Sequence, residues 1–225
     1  PWVMLGGLKA VNQQNSSNRV SLTLPLTLSV AMQLLAGHAQ TTWYTLMVLV
    51  PWMLVLAWKF LPLKRLMNLV MSLALSMTMA VGIAAVQLLP TAEYLFQSQR
   101  ADAIDYEMGL AYSFWPWRLL SFLSPDFFGN PGQGTYFGYA SYWEDAVYIG
   151  LIPFILALST LPRLGKQLRK KDNPGSPPKV TAFFWIVILI GTILALGKNL
   201  PIFPFLYQNL PTFDMFNAPA RFMLL

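Results

Sequence analysis

His38 is the only histidine of the chain, and it stands in a Gly37-His38-Ala39-Gln40 turn between two apolar stretches. An imidazole there can donate to a phosphate; beside Gly37 it can equally cap a helix. Arg221 sits just inside another apolar stretch, where a charged side chain is costly and often functional unless it snorkels to the interface. Glu93 and Arg100 are seven residues apart, so one helix would carry both on a shared face about two turns apart. A site and a solvated surface face both fit that spacing. Glu144 and Asp145 form an acidic pair, but neighbours point about 100° apart on a helix and to opposite faces of a strand. Both cannot easily address one proton, and a solvated anchor beside an apolar stretch is the alternative. Asp102 and Asp105 can share a helix face, yet no histidine lies near them to complete a metal site. No metal is expected. Asp126, between Pro125 and Phe127, has the setting of a turn former.

The elements that must hold these residues are set by charge sorting. Lys9, Arg19, Lys59, Lys64, Arg65, Arg163, Lys166, Arg169, Lys170, Lys171 and Lys179 fall in three short connections between apolar segments. Glu93, Asp102, Asp105, Glu107, Asp126, Glu144, Asp145 and Asp214 fall in the alternate ones. Apolar helices threading a bilayer produce this pattern, because Lys and Arg are retained on the cytoplasmic side. Composition agrees: 56% of residues are hydrophobic and 11% charged, against about 25% charged in soluble domains. Mean hydropathy is +0.50. The +6 balance then reports cytoplasmic anchors that favour anionic lipid, and not a nucleic-acid partner. The absence of cysteine excludes disulfides, a thiolate nucleophile and Cys-ligated metal.

Apolar runs of about 20 residues predict an all-α, polytopic transmembrane helical bundle in a multi-pass inner-membrane protein. Spans are expected at roughly 20–36, 41–58, 66–89, 146–162 and 180–197, with a sixth beginning near 218. The third is expected to end at Pro90, and residues 163–179 to form a flexible cytoplasmic linker around Asn173-Pro174-Gly175-Ser176-Pro177-Pro178. No signal peptide is visible, Pro1 is not a start residue and Leu225 ends inside an apolar run. The chain therefore reads as an internal fragment, one transmembrane domain over 1–225.

The extracytoplasmic loop, roughly 90–145, is too aromatic for a disordered linker. Pro90–Arg100 is expected to form a short helix, and Ser113–Leu123 has the Trp, Phe and Leu content of a helix lying in the interface plane. The following stretch combines Gly129, Gly132 and Gly134 with Tyr136, Phe137, Tyr139, Tyr142 and Trp143. Its glycines permit tight turns; its aromatics suit either a carbohydrate site or the headgroup level. No Gly-Lys-Ser/Thr follows, so it is not a phosphate loop.

Several short motifs, in order, resemble those of the YfhO-like family of bacterial membrane proteins. They are Gly37-His38-Ala39-Gln40, Leu89-Pro90-Thr91-Ala92-Glu93 with Ser98-Gln99-Arg100, Leu123-Ser124-Pro125-Asp126-Phe127-Phe128-Gly129, Tyr148-Ile149-Gly150-Leu151-Ile152-Pro153, and Pro219-Ala220-Arg221-Phe222. Position 39 is Ala where the family turn usually has Pro. The resemblance implies the GT-C class, polytopic glycosyltransferases that take a lipid-phosphate-linked sugar at the outer membrane face. In that class the acidic catalytic residue usually lies in a first outer loop, upstream of the matched motifs.

Such chemistry asks for few residue types. Phosphate is already a good leaving group, so one carboxylate must accept the acceptor hydroxyl's proton, a contribution of about 10²–10⁴-fold. Cations must hold the developing phosphate charge, arginine best because its planar fork matches phosphate oxygens. The outer face offers Arg100, Arg118, Lys198, Arg221 and His38. The candidate substrate-binding residues are thus His38, Gln40, Arg100 and Arg221, and the candidate carboxylates Glu93 and Asp145. The expected partners are membrane lipid, a polyprenyl-phosphate-linked sugar and a cell-envelope polymer or glycolipid acceptor; no cofactor is specified. A non-enzymatic transporter, lipid-handling protein or structural subunit is the alternative. Pro25, Pro51 and Pro153 can break helices as transporters require, but the spans carry almost no midplane charge.

Overall fold

The computed structural model describes residues 19–58, 63–98, 105–138, 142–144, 146–169 and 180–225. Regular structure among the described residues is helical, without strands. They fall into two compact units, one within Pro1–Ala101 and the other within Asp102–Lys171 and Lys179–Leu225.

In the first unit, α1 (Arg19–Leu35) packs along α3 (Leu63–Phe96), and α2 (Ala39–Trp58) follows α1 through a tight turn. Ser76, Ala80 and Ala84 recur every fourth residue on α3, which puts them on one face, and all three are fully buried. Against them α1 buries Thr23, Leu26, Thr27, Val30 and Ala31. Small side chains let two backbones approach closely, and the Ser76 hydroxyl, which donates to the Ser72 carbonyl at 2.8 Å, stays satisfied within its own helix. The large apolar residues of α3 point the other way: Met71, Leu75 and Leu89 are exposed, and Val86 is 78% exposed. Only 17% of the apolar window in Val70–Phe96 is buried, whereas the core helix of a water-soluble domain would be mostly covered. Among the described residues this is the one helix long and apolar enough to cross a membrane. Thr23–Leu35 and Val180–Ala195 are apolar but shorter.

Helix α3 does not stop at Pro90 as expected. It runs on to Phe96, absorbing the short helix anticipated from Pro90 onward. A proline inside a helix costs one backbone donor, and in an apolar setting hydroxyl side chains can re-satisfy freed carbonyls. The carbonyl that Pro90 leaves without its backbone donor is that of Val86; the Thr91 hydroxyl bonds the next one, the Gln87 carbonyl, at 2.7 Å.

The second unit contains α4 (Tyr106–Leu110), α5 (Leu151–Leu158), α6 (Leu161–Arg169), α7 (Val180–Ala195) and α8 (Ile202–Asn209). Two 3-10 stretches, Pro116–Phe122 and Pro219–Leu224, complete the frame. The segment Tyr112–Phe114 stitches them together. Phe114 N–H donates to the Ala195 carbonyl at 2.8 Å, Ala220 N–H to the Tyr112 carbonyl at 3.0 Å, and Lys198 N–H to the Ser113 hydroxyl at 2.9 Å. Phe203, Phe213 and Phe222 pack their rings at centroid separations of 5.9–6.3 Å beside this seam.

Three boundaries differ from expectation here. The helix predicted over 146–162 begins only at Leu151, because Gly150 holds a left-handed φ of +94° that a helix cannot continue through. It breaks at Ser159-Thr160, where both hydroxyls bond back to carbonyls of their own turn at 2.7 Å and Pro162 follows without an N–H. Helix then resumes from Leu161 to Arg169, inside the stretch expected to be linker. Gln167 holds that helix to α7 by accepting from Ala182 N–H at 3.1 Å, and Trp185 donates to Thr160 at 2.9 Å. Residues 170–179 lie outside the described residues. Pro219–Leu224, at the expected beginning of a sixth span, forms 3-10 turns.

Candidate functional site

The aromatic segment is organised around Arg118. Pro116, with its φ already fixed, starts the 3-10 stretch. Three residues per turn then send Trp117, Leu119, Leu120 and Leu123 outward and turn Arg118 and Ser121 inward. Trp115 and Trp117 stack at 4.7 Å, and Phe122 stacks on Phe154 of α5 at 5.5 Å. The expected interfacial helix is therefore a 3-10 stretch with an apolar outer face. Arg118 is only 3% exposed. Its guanidinium carbon lies 4.4 Å from the centroid of Phe128 and 5.3 Å from that of Tyr136, and it donates to the Tyr136 hydroxyl. Ring faces and a phenol oxygen are suitable surroundings for a desolvated arginine. Arg118, offered by the sequence as an outer-face cation for phosphate, is buried as part of the scaffold.

Around it the loop Asp126–Phe137 closes on itself. Gly129 N–H donates to the Asp126 carbonyl at 2.9 Å, and Phe137 N–H to the Phe128 carbonyl at 3.0 Å. Asn130 caps the short turn Pro131–Gln133 by accepting from Gly132 N–H at 2.8 Å. Asp126 is the turn former expected, and its carboxylate does more. One oxygen accepts from the Asn130 amide at 3.2 Å and from the Tyr142 hydroxyl at 3.1 Å. That hydrogen bond is the main reason the Tyr142 phenol titrates above its ordinary value, with the Asp126 charge adding to it.

Residues 142–144 form a short bridge. Tyr142 bonds Asp126 and meets Tyr136 edge-on at 5.5 Å. Trp143 points outward. Glu144 takes a bidentate arginine pair, its two oxygens 2.8 Å from Arg221 Nε and 2.6 Å from Nη2. The pair is partly covered, with 29% and 17% of the two side chains exposed.

The expected site residues are distributed as follows. His38 precedes α2 as its cap: its Nδ1 lies 2.8 Å from the Thr41 hydroxyl and accepts weakly from Thr41 N–H at 3.3 Å. Gln40 is buried and donates to the Tyr44 hydroxyl at 2.7 Å. Gly37 needs its positive φ of 74°, and a Cβ there would stand 2.9 Å from the Gln87 amide nitrogen. This polar corner is completed by Gln33, which donates to Thr45 at 2.6 Å. Glu93 is exposed near the end of α3. Arg100 and Asp145 lie outside the described residues. Arg221 meets Glu144, the member of the acidic pair not named as a candidate carboxylate. Among the described residues no group of three or more His, Cys, Asp or Glu could hold a metal. No family model, curated protein or solved structure matches the chain.

Replacing Arg221 by Ala leaves a half-covered carboxylate without its fork. A double-mutant cycle with Glu144→Gln is expected to give a coupling of about 1–2 kcal/mol in unfolding. Arg221→Lys should lose most of it, since lysine cannot bond in bidentate fashion. A coupling near zero would show the pair to be incidental.

Tyr207, packed under Gly109 and raised mainly by burial, also titrates above 10.0. The folded chain then keeps a proton that the unfolded chain has lost. Its contribution to stability is complete below pH 10.0 and falls as pH rises through the folded value. Tyrosinate absorbance should accordingly show Tyr207→Phe removing a late-titrating phenol and flattening the alkaline loss of stability.

Proposed function

We propose that the chain belongs to a polytopic, YfhO-like protein of the bacterial inner membrane that transfers a sugar from a polyprenyl-phosphate carrier to a cell-envelope acceptor on the extracytoplasmic face. The membrane part is supported by α3, which buries Ser76, Ala80 and Ala84 and leaves Met71, Leu75, Val86 and Leu89 exposed. The apolar 3-10 face of Trp117, Leu119, Leu120 and Leu123 suits a headgroup boundary.

The chemical part rests on one observation, the contact between Arg221 and Glu144. Transfer from a phosphate-linked donor needs a cation for the departing phosphate and a carboxylate for the acceptor's proton. In this reading Arg221 exchanges Glu144 for the donor phosphate, and the freed carboxylate becomes the base. The acceptor oxygen attacks the anomeric carbon, the bond from that carbon to the phosphate oxygen breaks, phosphate leaves with the electron pair, and Glu144 takes the hydroxyl proton. Glu144, held in contact with the cation, fits this role better than the exposed Glu93.

The test supplies labelled polyprenyl-phosphate sugars and envelope acceptor fractions to the protein in nanodiscs. Glu144→Gln is expected to slow transfer about 100-fold or more, with Arg221→Ala and Arg100→Ala also reducing it. Transfer absent from the native protein, or native rates in all three variants at normal protein levels, would end the reading.

A further inference from the structure

Beside the Arg221–Glu144 pair lies a surface with different chemistry. Trp143 is 77% exposed and Phe137 70% exposed, so two aromatic rings face outward from one folded loop. They are not loose. Phe137 rests against Phe128 at 5.8 Å, and Phe128 lies on the buried Arg118; Trp143 stands against Tyr142 at 5.3 Å. The Asp126 carboxylate is exposed as well, held by the Asn130 amide and the Tyr142 hydroxyl. Both of those contacts go to a single oxygen, Oδ1.

A purely lipid-facing aromatic patch gains nothing from a carboxylate and an amide bonded to one of its phenols and to each other, because both are costly to desolvate. A pyranose needs this combination: its C–H face lies on a ring, while its hydroxyls donate to a carboxylate and accept from an amide. We infer that Trp143, Phe137, Tyr142, Asp126 and Asn130 form a carbohydrate-binding subsite for an extracytoplasmic glycan chain. The inference deepens the transferase reading, on which it rests for the identity of the glycan as acceptor.

Binding is measured without any donor sugar, so failure of the subsite and failure of transfer remain separable. The native protein in nanodiscs is applied to an array of bacterial envelope glycans, neutral and N-acetylated. At least one class is expected to bind, with Trp143→Ala weakening it roughly tenfold and Asp126→Asn about tenfold. Glu107→Gln, an exposed carboxylate change in α4, should leave it unaltered. Circular dichroism of each variant guards against simple unfolding. No glycan bound, or binding that ignores both Trp143→Ala and Asp126→Asn, overturns the inference. A second readout is independent of the sugar. A fluorophore on Phe137→Cys, the sole thiol of the chain, should be quenched by aqueous iodide. Quenching by spin-labelled lipid instead would assign the face to the membrane and overturn the proposal.

Discussion

Arg118→Ala is expected to lower the stability of the second unit by about 3 kcal/mol. A hydrogen bond from a charged donor contributes about 1.5–3 kcal/mol, and a desolvated cation over a ring about 2 kcal/mol. The two act on the same guanidinium and do not add in full. Its loss removes the support from under Phe128 and Tyr136, so the damage should spread through the loop from Asp126 to Phe137. Hydrogen exchange should report protection lost at Phe137 N–H and Gly129 N–H, with α7 little changed. Arg118→Met keeps much of the volume but not the charge, and should recover less than half. Native protection in Arg118→Ala would show that the aromatic loop holds itself together.

Gly129→Ala should cost about 3 kcal/mol by a separate route. Gly129 has φ +77°, where an L side chain is strained. Its Cβ would also meet the Thr135 carbonyl, which is backbone and cannot rotate aside. Relief would require breaking the bond from Thr135 N–H to the Asn130 carbonyl, 3.1 Å long, and with it the cap on Pro131–Gln133. Gly134→Ala is the matched comparison. Its φ is +67°, but nothing lies within 4 Å of the added carbon, so only about 1 kcal/mol of backbone strain is expected. Thermal unfolding that ranks the two variants equally would mean that φ alone, and not the closed loop, limits position 129.

How far sequence reasoning reached depends on the range of the forces involved. The runs that became α1, α2 and α7 were readable within a few residues, because length and unbroken apolarity are local properties. Pro90 misled: α3 runs through it to Phe96, as α1 runs through Pro25 and α2 through Pro51. Gly150 and Pro162 could have signalled the broken helix between 146 and 169, but hydropathy averages over both. Arg118 was legible only as a cation: its cage comes from residues 10 and 18 positions later, Phe128 and Tyr136, and no local pattern encodes that closure. The absence of any nearby carboxylate in the Trp- and Leu-rich 3-10 stretch was the one available hint. The Arg221–Glu144 pair joins residues 77 positions apart, beyond the reach of spacing arguments.

The account depends most on which side of the membrane the aromatic loop occupies. The chain has no cysteine, so single cysteines at Gln133, exposed in the loop, and at Lys166, exposed on α6, can be probed with a membrane-impermeant maleimide in intact cells. Labelling at 133 without permeabilisation, and at 166 only after it, is the predicted result. The reverse pattern, or equal labelling of both before permeabilisation, would contradict the assignment of the aromatic face to the extracytoplasmic side.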